Sequence, residues 1–197
     1  MNFLAHISLS ANHTELMIGN FIADHVRKVE WQQFSPKIVQ GIELHHKIDF
    51  FTDNHHIVER SKQRLRPCHG KYSGVVADIL YDHFLSANYQ EFYPQTTVQD
   101  FAQNFYALLR KRFNELPSGT QYMLPYMEQH NWLVAYGHKE GLQQVFNGMH
   151  RRASFKNNMH KAVAHLFENY EDYKVEFYEF YPLLQGFVKH EINRLKA

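Results

Sequence analysis

At 197 residues, with 44% hydrophobic and 15% aromatic side chains, the chain suits one folded domain and is not a disordered segment. A formal net charge of +1 gives none of the global basic field that nucleic-acid binders carry. Met1–His6 lacks the basic start and apolar run of a signal peptide, no window looks like a membrane span, and the lone Cys68 cannot form an internal disulfide, so a cytoplasmic protein is expected.

Residues 1–10 are a short apolar stretch interrupted by His6, and Ser10 to Thr14 offers capping residues for a helix from about Glu15 to Lys28. Asp24 falls in the last turns of that helix, where the macrodipole disfavours an acid and favours Arg27 and Lys28. Something other than helix stability therefore selects it. Ser35-Pro36 is an N-cap and first-turn pair for the helix that organises the chain, running to Thr52 or Asp53. A basic segment from Val58 to Arg66, ended by Pro67, carries Arg60, Lys62, Arg64 and Arg66, and a helix from Ser73 to about Ala87 comes next.

After a break at Tyr93-Pro94, Thr97 caps a helix to Asn114 with Phe101, Phe105 and Leu109 on its apolar side. Helices are predicted at 120–130 and at 131–151, the latter broken at Gly137. Two more, Asn157 to Asn169 and Glu171 to Leu195, close the chain, the last kinked or interrupted at Pro182. Almost no stretch alternates with period two, which predicts an all-α, single-domain bundle of about seven to nine helices over residues 1–197.

The chemistry lies on two of these helices. At 100° per residue Ile38, Ile42, His45, Ile48, Asp49 and Thr52 share an arc of about 120°, so an imidazole and a carboxylate one turn apart sit on a face built to be buried. Burying that carboxylate costs several kcal/mol unless it is paired, hydrogen-bonded or bound to a cation. Asp78 and Asp82 repeat the spacing beside Val75 and Ile79, with His83 following, and their mutual repulsion would be relieved by a divalent ion. With His6, Asp24, Asp53 and His55 added, mixed imidazole and carboxylate ligation suits Mn, Fe or Mg better than a structural zinc. For any one of these residues a cap or an ion pair is the simpler explanation; for the set, a hydrolytic metal centre is. No glycine-rich phosphate loop, zinc-type cysteine pair or Gly-x-Ser-x-Gly elbow is present.

These residues carry a resemblance. Met1-Asn-Phe-Leu-Ala-His6, Gly19-Asn-Phe-Ile-Ala-Asp24, Gly41-Ile-Glu-Leu-His45 with Ile48-Asp49 and Phe51-Thr-Asp53, and Tyr81-Asp-His-Phe-Leu85 resemble the bacterial acyl carrier protein phosphodiesterases. The similarity extends through Trp132-Leu133 and Tyr136 to Met149-His-Arg-Arg152; His46 stands where an arginine is usual and His56 where a proline is usual. The resemblance implies a distorted relative of the HD-domain phosphohydrolases, all-helical and manganese-dependent, with Mg2+ or Fe2+ as other cations, that removes the 4′-phosphopantetheine arm from holo acyl carrier protein. It implies a metal held by Asp24, His45, Asp78 and Asp82, with His83 as general acid, His6 as the alternative, and Asp49 as a ligand or the residue orienting one. Carrier proteins are acidic, so Arg27, Lys28, Arg60 and Arg64 become candidates for the docking surface. The rival readings are an HD-type phosphohydrolase acting on nucleotides or another small phosphodiester, and a non-catalytic helical adaptor for an acidic partner.

Overall fold

The α-helices of the computed structural model, which describes residues 1–10 and 13–195, follow the punctuation of the sequence closely. They are α1 (Phe3–Leu9), α2 (Thr14–Ile22), α3 (Pro36–Asp53), α4 (His56–His69), α5 (Ser73–Ala87), α6 (Tyr89–Phe92), α7 (Val98–Lys111), α8 (Ser118–Gln129), α9 (Trp132–Ala135), α10 (Lys139–Arg152), α11 (Ala162–Glu168) and α12 (Tyr170–Arg194). Short 3-10 turns join several of them, and no strand occurs among the described residues. The chain is therefore all-α, with more helices than expected because α1, α4 and α6 form where no helix was predicted and the 131–151 segment divides. No described helix is long and apolar enough to cross a membrane.

Local chemistry accounts for the boundaries. Ser35 Oγ accepts from the Ile38 N–H at 3.3 Å and Pro36 begins α3, while Thr97 Oγ1 accepts from the Asp100 N–H at 3.0 Å to start α7. Of the capping stretch proposed before α2, residues 11 and 12 lie outside the described residues, and His13 occupies the N-cap position without a side-chain bond. The helix does not reach Lys28. It gives way after Ile22 to a 3-10 turn, Ala23–His25, because His25 Nδ1 bonds the buried Thr120 Oγ1 at 2.8 Å and Val26 is extended. Asp24 consequently sits in a turn, not in the last turns of a helix.

Neither Pro67, expected to end the basic segment, nor Pro182, expected to kink or interrupt the last helix, ends a helix. Pro67 lies inside α4 and Pro182 inside α12. An interior proline costs about 3 kcal/mol, but α12 buries Phe177, Phe180, Tyr181 and Leu184 completely, each contributing roughly 1.5–3 kcal/mol, so packing outweighs the missing bond. The break at Gly137 is found, between α9 and α10.

One close approach sets the site. A Cβ on Gly19 would lie 2.0 Å from the Ile38 carbonyl oxygen, and one on Gly41 would lie 2.3 Å from that of Leu16. The backbones of α2 and α3 therefore touch where the two glycines meet, which only residues without a Cβ permit. Asn20, next to Gly19, is thereby pressed against His45, one turn after Gly41.

Candidate metal centre

A pocket of about 270 Å³ opens beside this crossing, lined among others by His6, Asn20, Asp24, His45, Asp49 and Asp78. His6 comes from α1, Asp24 from the turn after α2, and His45 and Asp49 from successive turns of α3. His6 Nε2 lies 3.1 Å from Asp49 Oδ1, His45 Nε2 lies 3.1 Å from Asp49 Oδ2 and 3.4 Å from Asp24 Oδ1, and the two imidazoles stack with centroids 4.0 Å apart. His6, His45 and Asp49 each offer a ligand atom within 4.8 Å of the others.

A residue absent from the sequence-based set, Asn20, fixes both rings. Its backbone carbonyl can only accept, so His45 Nδ1 donates to it at 2.8 Å. Its side-chain Nδ2 donates to the His6 carbonyl at 2.7 Å, which orients Oδ1 to accept from His6 Nδ1 at 2.8 Å. Both rings thus carry hydrogen on Nδ1, and in the neutral form both Nε2 lone pairs point at carboxylate oxygens. Lone pairs facing an anion repel unless a proton or a metal ion stands between them. The donor set of two imidazoles and the Asp49 carboxylate, with Asp24 near His45 but outside the group that converges within 4.8 Å, suits a divalent ion of the Mn, Fe or Mg kind. Asn20 is fully buried within the apolar run Leu16 to Ile22, and that isolated polar residue was the signal available in the sequence.

Electrostatics without an ion agree with this arrangement. Burial works to lower the His45 imidazole, but Asp24 and Asp49 prevail and raise it to about 9. The same burial works to raise Asp49, yet its contacts with the His45 and His6 imidazoles hold its carboxyl well below the usual range. Asp24, mostly exposed, is held below its ordinary value by His45. Burial and then the neighbouring His45 charge push His6 down. One proton shared by the cluster stands where a cation would.

Other candidates are placed elsewhere. Asp82 is fully buried and takes the backbone N–H groups of Leu4 at 2.7 Å, Asn2 at 3.2 Å and Ala5 at 3.3 Å, so it caps α1 from outside and is not with the His45 cluster. Asp78 lines the pocket, but its Oδ1 holds the Met1 amino group at 2.8 Å. The repulsion expected between these two acids is relieved by an ammonium and by backbone amides. His83 is equally removed from the pocket: Nδ1 donates to the Tyr136 carbonyl at 2.9 Å and Nε2 accepts from the Tyr170 hydroxyl at 3.1 Å, so both nitrogens are engaged. Asp53 lines the pocket and faces Lys62 Nζ at 3.5 Å, while His55 caps α4 by accepting from the Ile57 N–H.

The basic candidates divide as well. Arg64 grips the buried Glu176 of α12 through two bonds of 2.9 and 3.0 Å, and Arg60 holds Glu179, so these arginines fasten α4 to α12. Arg27 pairs with Glu30 three residues on, whereas Lys28 lies over the Trp31 ring.

No solved structure matches the chain. Curated relatives do: acyl carrier protein phosphodiesterases from Photorhabdus laumondii, 28% identical over 93% of each chain, and from Yersinia pestis, 27% identical over 97% of this chain and 99% of the relative. That of Escherichia coli strain HS is 28% identical over the same shares, 97% and 99%. The model of the family described as acyl carrier protein phosphodiesterase matches residues 1–184, and the chain belongs to that family.

Proposed function

We propose that the chain is a single-domain, divalent-metal-dependent phosphodiesterase that removes the 4′-phosphopantetheine arm from holo acyl carrier protein and works in the cytoplasm. One observation carries the metal centre: two imidazoles, each locked by Asn20 with hydrogen on Nδ1, aim their Nε2 lone pairs at the carboxylates of Asp49 and Asp24. His6, His45, Asp24 and Asp49 would hold manganese, or magnesium or iron in its place. The mixed imidazole and carboxylate set is also the ground for kinship with the HD-domain phosphohydrolases.

When bound, the cation would acidify water and offset the charge that builds on the phosphodiester. The protein's residues do the remaining work. Asn20 fixes the ring orientation, so the ligating nitrogens need not reorganise during reaction. His6 and His45, both almost fully buried, keep water from the inner wall of the pocket. Asp24 and Asp49, more exposed, stand at its open side, where the substrate phosphate enters. Water adds to phosphorus, the bond from phosphorus to the carrier's serine oxygen breaks, and that oxygen leaves with a proton. The products are the serine hydroxyl of the apo carrier and 4′-phosphopantetheine.

Holo carrier protein incubated with the enzyme, with and without manganese, and then weighed intact tests this reading. Loss of the mass of the arm only when the metal is present is the expected result. An unchanged carrier alongside rapid hydrolysis of a nucleotide would transfer the assignment to a nucleotide phosphohydrolase.

A further inference from the structure

The phosphodiester to be cut joins the arm to a serine of the carrier itself, so the carrier's surface must come up to the rim of the pocket. With a net charge of only +1, the enzyme has no long-range attraction for an acidic partner, and recognition must depend on local cations near that rim. Most arginines are already engaged: Arg27 with Glu30, Arg60 with Glu179, Arg64 with Glu176, Arg66 with Glu59, Arg110 with Glu128, Arg112 with Glu115 and Arg194 with Glu191. Among the described residues, Arg151 and Arg152 are the arginines without an ion-paired carboxylate, and both are exposed at the end of α10.

Arg152 is the one tied to the pocket. It follows Met149, a pocket wall, by three residues on the same face of α10. Its charge also reaches Tyr136: burial drives that phenol far above its usual range, and Arg152 is the cation opposing the rise. The Tyr136 hydroxyl accepts from Asn2 Nδ2 at 3.0 Å, and Asn2 lines the same pocket. A second unpaired cation, Lys71, precedes the pocket residue Val75 by four positions, with its Nζ 3.1 Å from the centroid of the Phe155 ring. Phe155 is 64% exposed and lies three residues beyond the end of α10. Asn158 Nδ2 donates to the Cys68 carbonyl at 3.2 Å, which fastens this segment to the end of α4.

We propose that the acidic carrier protein docks on this rim, with Arg152 and Lys71 meeting its carboxylates and Phe155 packing against its apolar surface. The inference rests on the phosphodiesterase reading above and moves the docking surface away from Arg60 and Arg64. Those arginines are satisfied within the fold, whereas Arg152 and Lys71 have no ion-paired carboxylate, lie three and four positions along the chain from the pocket-lining Met149 and Val75, and Lys71 carries the exposed Phe155 ring beside it.

Steady-state kinetics on holo carrier protein at low ionic strength, combined with fluorescence anisotropy of labelled carrier, test it. Arg152→Glu and Lys71→Glu are expected to raise KM and Kd by about tenfold each with kcat held, an effect that shrinks with added salt. Phe155→Ser should weaken binding without that salt dependence. Parental KM and Kd in both charge reversals, or weakening confined to Arg27→Glu and Lys28→Glu, would overturn the assignment. Binding that is lost in Arg152→Glu, from an enzyme that binds the carrier but never cleaves it, would uphold the rim and sink the phosphodiesterase reading. Cleavage with parental affinity in both reversals would do the opposite.

Discussion

Replacing Asn20 with leucine keeps the size of a fully buried side chain but removes every polar atom by which it holds His6. Three hydrogen bonds disappear: Oδ1 to His6 Nδ1 at 2.8 Å, Nδ2 to the His6 carbonyl at 2.7 Å, and Nδ2 to Ser10 Oγ at 3.4 Å. At about 1 kcal/mol each, partly offset by the added apolar burial, stability should fall by about 2–3 kcal/mol. The His45 bond runs to the Asn20 backbone and survives, so only one of the two imidazoles loses its orientation. Losing one such partner typically lowers metal affinity 10- to 100-fold, or about 1.4–2.8 kcal/mol. Urea denaturation reads the loss of stability, and manganese titration by calorimetry, below the unfolding temperature of the variant, reads the loss of metal affinity. Parental manganese affinity in Asn20→Leu would refute the claim that this residue sets the geometry of the centre.

Asp82→Asn should cost about 1–3 kcal/mol, because an amide NH2 would face the backbone N–H groups of Asn2, Leu4 and Ala5, while manganese binding persists; urea unfolding and metal titration on one preparation check both. Gly41→Ala drives a Cβ into backbone at 2.3 Å, which no rotamer change relieves. A loss of about 3 kcal/mol or more should appear in its melting curve, and a parental melting temperature would contradict the close approach of α2 and α3. His69 is buried with Nδ1 unpartnered, and burial followed by the His165 charge pushes its imidazole from 6.5 down to about 4. The unfolded chain therefore takes up a proton near 6.5 that the folded chain refuses until about 4, so this group removes stability as pH falls through that window. His69→Phe should flatten this part of the acid limb of stability against pH, and an unaltered limb would show that His69 does not titrate this way.

The sequence carried much of this arrangement because helical periodicity reports which residues share a face. It placed Ile38, Ile42, His45 and Ile48 together, and all four are buried in α3. Pairings between distant segments are not written in periodicity. Asp78 and Asp82 look like ligands by spacing, yet their partners are the start of the chain and the amides of α1, contacts spanning nearly eighty positions. His83 is likewise engaged away from the pocket, since the Tyr136 carbonyl that it bonds comes from another segment. His6, ranked below His83 as a candidate acid, lies in the cluster because Asn20 holds α1 against α2; a lone polar residue in an apolar run marks Asn20 as buried, but only the fold shows which groups it bonds. Arg60 and Arg64 read as free charges only while Glu176 and Glu179 of α12, more than a hundred residues away, are out of view.

The most direct measurement is stoichiometric manganese binding to His6→Ala, Asp49→Ala and Asp82→Asn proteins that remain folded, monitored by the free-ion electron paramagnetic resonance signal. The first two are expected to lose the tight site that the parent and Asp82→Asn retain, and to lose cleavage of the carrier with it. A tight site that persists in His6→Ala and Asp49→Ala but disappears in Asp82→Asn would contradict the account, because it would put the metal at the end of α1 and leave the four converging side chains without a role.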